Sequence, residues 1–260
     1  MTAVTAATAL VSFGLLSWTT ARRAEAQVNV QTLRGDLSKV PALAQIEGSF
    51  TGRTGNVQSV VAGGAANGAA RFGLSRFYAS VSADYARFSG ETRVSKGFIH
   101  FRYNYVIRDW LLAEVFAQQQ HDKFQRLLVR ELAGTGPRFV FADEEDIRLA
   151  LGTSWMIEYE RIAVAPGAND APEVLANRWN NYLSVMVRPD DRVRALATAY
   201  VQPRFDHPDD VRVLFEASVT TDVTKTLGLR VLATVRHDSQ PPTDVKPTDI
   251  EVKNAIVVKF

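Results

Sequence analysis

Apolar and polar residues alternate with a period of two through most of this 260-residue chain. The last stretch is the clearest. Ile250, Val252, Ile256, Val258 and Phe260 fall on one face, and Glu251, Lys253, Ala255, Val257 and Lys259 on the other. Successive side chains of a strand point to opposite faces, so each such stretch predicts a strand with one apolar and one polar side. Twelve are predicted, over residues 43–52, 56–68, 72–87, 93–106, 110–121, 125–139, 146–160, 177–188, 192–203, 209–221, 225–237 and 248–260. In the tenth, Val211, Val213, Phe215, Ala217 and Val219 oppose Arg212, Leu214, Glu216, Ser218 and Thr220. The second and sixth are weaker, because Ala62 to Ala70 is small and glycine-rich and Gly134 to Arg138 contains Pro137. No long window has a 3.6-residue period, which argues against a helical fold.

The connections alternate too. Short links at Ile107–Asp109, Pro189–Asp191 and Thr221–Thr224 take turns with longer ones at Arg161–Ala176, Pro203–Pro208 and Asp238–Thr248. Short turns on one side and long loops on the other are the habit of outer-membrane barrels, whose apolar face meets lipid. A soluble sandwich or lipocalin-like barrel also alternates, but with fewer and shorter strands. The fold expected is therefore all-β: a transmembrane, antiparallel, up-and-down β-barrel of about 12 strands, spanning residues 42–260. An even strand count puts both termini on the periplasmic side. Trp110, Tyr159, Trp179 and Phe260 near strand ends suit interfacial aromatic girdles.

Ahead of the barrel, Ala3 to Trp18 is an apolar run of small residues, and Ala24-Glu25-Ala26 precedes Gln27 as a cleavage signal. Residues 1–26 are read as a signal peptide, although no basic residue precedes Arg22. The run is too short to span a bilayer as a helix. Residues 27–41 are read as a periplasmic lead-in or plug. Removing Arg22, Arg23 and Glu25 from the 30 basic and 28 acidic residues leaves a net charge of +1, so nucleic acid is not an expected partner. With no cysteine there is neither a disulfide nor a thiolate metal site.

Several short motifs stand in a distinctive order. Thr51-Gly52-Arg53-Thr54-Gly55-Asn56 closes the first hairpin, Arg102-Tyr103-Asn104-Tyr105 precedes a short turn, and Asp122-Lys123-Phe124-Gln125-Arg126-Leu127 follows the fifth strand. Arg236-His237-Asp238-Ser239-Gln240-Pro241-Pro242 then leads to Val245…Asp249 and the terminal strand. Across essentially all of residues 27–260 this order resembles the salt-induced outer-membrane protein family of Gram-negative bacteria, catalogued as a domain of unknown function. Histidine at position 237 stands where that family usually has an aromatic residue. The resemblance implies an outer-membrane barrel with no established activity, linked to salt or osmotic stress.

If the apolar faces meet lipid, the other faces line a lumen. That set comprises Glu47, His100, Arg102, Arg148, Glu158, Arg178, Tyr182, Arg188, Arg194, Arg212, Glu216, Arg230, Arg236, Glu251 and Lys253, and eight of the fifteen are arginine. Two readings follow. Guanidinium groups favour small anionic solutes in a narrow pore. Alternatively, the arginines pair with Glu47, Glu158, Glu216 and Glu251 in a structural network, because buried charge demands partners.

His237 and Ser239 share a face near the outer rim and offer a second, enzymatic reading. A His-x-Ser pair is the nucleophile and base of outer-membrane phospholipase A, another twelve-stranded barrel. Asp238 points the other way, and Asn254 lies deeper. The acidic turns Asp143–Asp146 and Asp206–Asp210 lack the spacing of a calcium loop, and no nucleotide-binding or zinc-hydrolase motif is present. Neither metal nor cofactor is expected. Ile256, Val258 and Phe260 form the carboxy-terminal signal that barrel-assembly machinery reads. The expected function is that of a non-enzymatic outer-membrane barrel, in contact with lipid and lipopolysaccharide. It serves as a narrow, anion-preferring pore or structural envelope protein, or else as a surface scaffold whose outer loops hold a partner.

Overall fold

The computed structural model describes residues 37, 40–53, 59–88 and 91–260. The stretch read above as a signal peptide, and most of that read as a lead-in, lie outside the described residues. Twelve strands follow: β1 (Ala42–Arg53), β2 (Ser59–Phe72), β3 (Ser75–Phe88), β4 (Glu91–Arg108), β5 (Leu111–Asp122), β6 (Leu127–Asp143), β7 (Ile147–Ile162), β8 (Glu173–Val187), β9 (Val193–Pro203), β10 (Val211–Asp222), β11 (Leu227–Asp238) and β12 (Thr248–Lys259). Each pairs antiparallel with the next, and β12 returns to β1 to close the barrel. Closure removes the unpaired edges that an open sheet would present. No helix among the described residues is long and apolar enough to cross a membrane, which has no bearing on crossing by strands.

The wall is apolar on the outside. Ile99, Leu151, Leu183, Leu229 and Val252 are exposed, whereas Arg102, Asn104, Glu114, Arg178 and Glu216 are buried. That inversion of the soluble pattern suits a barrel solvated by hydrocarbon. The turns near the chain termini are short (73–74, 109–110, 144–146, 188–192 and 223–226), and longer loops at 163–172, 204–210 and 239–247 crowd the opposite end. We call these the terminal end and the loop end.

Both weak stretches are strands. β2 runs unbroken through its alanines and glycines, fully paired with β1 and β3. β6 runs through Pro137, and its ladder to β7 passes from Thr135↔Trp155 to Arg138↔Gly152 without the two positions between. Proline has no N–H to give, so the gap falls where the donor is missing. β8 begins at Glu173, four residues before the expected start, so Trp179 lies well inside the strand and not at its end. There it faces Trp155 across the ladder, and the two indole N–H groups donate to Thr153 and Asn177 at 2.7 and 3.1 Å.

Leu37, at the end of the lead-in, is buried against Ala69 and Tyr78 on the inner faces of β2 and β3.

Candidate functional site: the filled lumen

Side chains on non-neighbouring strands can meet only through the lumen, and many do. At mid-height the Tyr182 hydroxyl of β8 donates to the Glu114 carboxylate of β5 at 2.9–3.0 Å and accepts from Arg138 of β6 at 2.7 Å. Asn104 donates to the same carboxylate at 2.9 Å, and the Arg102 guanidinium stands 3.7 Å from it. Arg102 also lies over the rings of Phe116 and Tyr182, 5.6 and 5.4 Å from their centroids, and Tyr200 packs on Tyr182 at 5.2 Å. These cation–π and ring contacts need a flat aromatic wall. Gly152 provides the room, since a Cβ there would collide with the Tyr182 ring.

This central layer shuts the barrel. A water-filled lumen would expose its lining, yet Arg102 and Tyr182 are 2% exposed and Glu216 1%. Water reaches in from the two ends only. A cavity of about 100 Å³ lies at the loop end and one of about 270 Å³ at the terminal mouth, between Gln45, Arg194, Asp222 and Lys259.

Between the central layer and the loops sits a charge network. Glu158 takes Arg178 at 3.2 Å, Arg212 at 2.5 Å and Arg130 at 3.8 Å, and Glu160 takes Arg130 and Arg212 at 2.5 and 2.9 Å. Arg212 reaches on to Asp238 at 3.0 Å. Arg178 also donates to the carboxylate of Asp210 at 3.0 Å and to its backbone carbonyl at 3.2 Å, tying the β9–β10 loop to the wall. Further round, Lys96 stands 3.9 Å from Asp122 and 4.0 Å from Glu251. Towards the terminal end Arg230 pairs with Glu47, while on the loop side Lys253 pairs at 2.8 Å with Asp84, the neighbour of Lys96 across the β3–β4 ladder. The Asp84 side chain reaches over Gly63, whose missing Cβ leaves the space. Arg148 meets Asp143 at 2.7 Å and Arg188 meets Glu145 at 3.9 Å. Arg194 faces inward and is buried.

Of the lumen residues named from sequence, His100, Arg102, Glu158, Arg178, Tyr182, Arg194, Glu216 and Arg230 are buried, and they do not form one site. Of the four carboxylates offered as arginine partners, Glu47 and Glu158 bind arginine and Glu251 faces a lysine. Neither oxygen of Glu216 has a hydrogen-bond partner among the described residues. The residues that complete the layers, Glu114, Arg130, Arg138, Glu160 and Tyr200, were not named from sequence. Arg138 sits in the Pro137 stretch where alternation is weak, and the polar face of β5 was the available signal for Glu114.

The His237–Ser239 reading does not survive the geometry. Ser239 Oγ donates to the Asp209 carbonyl and accepts from the Val211 amide, both at 2.8 Å, so its proton and lone pair clasp two hairpins together. His237 Nδ1 is 2.9 Å from Thr248 Oγ1 instead. The acidic turns are likewise engaged: Arg204 holds Asp206 at 2.7 Å and Asp210 at 3.3 Å. The Arg204 hydrogen bonds keep the Asp206 carboxyl well below the usual carboxylate range. No cluster of potential metal ligands occurs among the described residues.

A closed twelve-stranded antiparallel barrel, apolar outside and charged within, is the architecture of outer-membrane porins and autotransporter translocators. Residues 46–260 match the family described as "Protein of unknown function, DUF481", and the chain belongs to that family. No curated protein matches it. Among solved structures it is similar to the NanC porin, with a TM-score of 0.51 and 8% identity over 84% of this chain and 98% of that one. It also resembles the KdgM porin (TM-score 0.43, 9% identity, 84% and 98% covered) and the translocator domain of the autotransporter NalP from Neisseria meningitidis (0.45, 9%, 89% and 92%). At such identities the likeness concerns the fold alone.

Proposed function

We propose that the protein is a non-enzymatic outer-membrane barrel whose channel is closed at rest by the Arg102–Glu114–Arg138–Tyr182 layer, and which passes small anions when that layer gives way. The observation that carries this reading is the composition of the layer. Arg102 faces the Glu114 carboxylate directly and Arg138 faces it through the Tyr182 hydroxyl, and all four side chains are buried. Such a constriction holds net positive charge, and a ring of that sign selects anions. The short turns belong on the periplasmic side and the long loops outside. Ile256, Val258 and Phe260, on the outer face of β12, serve as the signal for assembly, and the surrounding wall meets lipid and lipopolysaccharide. The family resemblance adds a role under salt stress.

Planar-bilayer recording of the refolded chain in a KCl gradient tests this. Wild type is expected to stay closed with rare steps. Tyr182→Ala, which removes the bridge, and Gly152→Ala, which pushes the ring from its seat, both give frequent steps with a chloride-selective reversal potential. Silence from both variants, with folding verified by heat-modifiable gel mobility, would sink the channel.

A further inference from the structure

Arg236 is the arginine that the charge network leaves out. It turns inward from β11 opposite Leu214 and lines the loop-end cavity, yet its guanidinium has no hydrogen bond or ion pair among the described residues. Asp122, Glu216 and Glu251 reach it through their fields, but none of them makes a hydrogen bond or ion pair with it among the described residues, and Asp122 and Glu251 flank Lys96 instead. A guanidinium carries five N–H donors in a rigid fork, and in a half-closed chamber it is costly to leave them unmet. The fork fits one carboxylate or phosphate bidentately.

The chamber around it is specific in other ways. Arg130, Arg212, Glu158 and Glu160 are spent on one another and Asp249 accepts from Gln125 at 3.3 Å, which leaves Arg236 and Lys246 as the lining cations without an ion pair among the described residues. Gln118, Gln120 and Gln125 supply neutral amides on the β5 side; Gln118 donates to the Gln120 carbonyl at 3.0 Å, so the Gln120 N–H groups remain unspent among the described residues. Pro241, Pro242 and Val245 of the β11–β12 loop make an apolar roof. That roof is fastened across the mouth by three hydrogen bonds from Thr243 to Asp170 (2.9–3.2 Å) and by Arg126–Asp244 at 3.5 Å. Arg126 and Asp244 are the non-glycine residues with positive φ among the described residues, at 56° and 64°. Backbone held in that region persists where surrounding contacts over-determine it.

We propose that this chamber binds a small polyhydroxylated monocarboxylate. Its carboxylate sits on Arg236, its hydroxyls on the glutamine wall and its C–H face under the proline roof. The site deepens the anion reading above and rests on it for how the ligand arrives, but it is tested by binding and not by conduction.

Isothermal titration of the refolded full-length chain in detergent compares gluconate with sorbitol, which differs in having a hydroxymethyl group in place of the carboxylate. Gluconate is expected to bind saturably, and sorbitol at least about tenfold more weakly. Arg236→Gln should lose about tenfold or more of the gluconate affinity while keeping heat-modifiable mobility, and Arg188→Gln at the opposite end should lose none. Equal heats for gluconate and sorbitol, or an unchanged Arg236→Gln titration, would overturn the site. Should Arg236→Gln fail to refold, Gln120→Leu replaces it, and unchanged gluconate affinity there overturns the site equally. Intact gluconate binding beside silent bilayers would remove the channel and leave the site.

Discussion

Two buried glutamates show how much a residue's role depends on what stands opposite it. Glu158 is gripped by Arg130, Arg178 and Arg212, and removing its charge leaves these three guanidiniums to Glu160, Asp210 and Asp238 alone. Breaking a buried ion pair from one side costs about 3–5 kcal/mol, because the partner is left uncompensated. Glu216 has the same side chain and similar burial but no hydrogen-bond partner. A buried carboxylate without a hydrogen bond carries a desolvation cost, which for Glu216 the field of Arg236 offsets only in part. Glu158→Gln is therefore expected to lower the temperature at which the barrel loses its heat-modifiable mobility, and Glu216→Gln to leave it unchanged or raise it. A drop with Glu216→Gln matching that of Glu158→Gln would show that Glu216 has a partner after all. The polar side of each strand was legible in the sequence; which glutamate is held and which is not depends on residues far along the chain, 54 positions for Arg212 and Glu158 and 183 for Arg230 and Glu47.

Among the elements, the loops matter most at one end, where the β9–β10 and β11–β12 connections are sewn to each other and to the wall. Ser239 bonds across to Asp209 and Val211, and Arg204 binds Asp206 through two of its nitrogens at 2.7 and 3.0 Å. Since the Arg204 hydrogen bonds depress the Asp206 carboxyl, the clasp contributes throughout the range above the ordinary carboxylate pKa. Its contribution fades as pH falls below that range and is lost as the folded-state pKa is passed. Carboxyl chemical shifts are expected to show Asp206 titrating below the usual range in the wild type and returning upward in Arg204→Gln; an Asp206 that titrates normally in both would refute the clasp. From sequence, the His-x-Ser spacing pointed to chemistry, and it was the loop fold that turned Ser239 into a hairpin clasp. Pro137 weakened the alternation of the sixth stretch without breaking the expected strand, because a closed sheet tolerates one missing donor when the neighbouring ladder skips it.

For the whole molecule the weak line is the closing seam. β1 and β12 share four residue pairs, Gln45↔Lys259 to Gly48↔Ile256, with reciprocal Ala44–Phe260 backbone bonds beyond them, whereas β11 and β12 pair all the way from Leu227 to His237. Lys253 nevertheless reaches across to Asp84. Amide exchange in detergent is therefore expected to be fastest in β1 beyond Gly48, and Asp84→Ala to quicken it further; uniform protection around the barrel would contradict a weak seam. The sequence by itself determined the number of strands, their facing and the alternation of short and long connections. Each of these follows from local period-two geometry and turn composition, which need no knowledge of distant residues. Only the tertiary structure decided that the lumen is shut, that Arg102, Glu114, Arg138 and Tyr182 meet at its centre, and that Arg236 is left facing a roofed cavity. Those outcomes hang on register and closure, which bring strands far apart in the chain to the same height across a lumen. No local pattern encodes that distance.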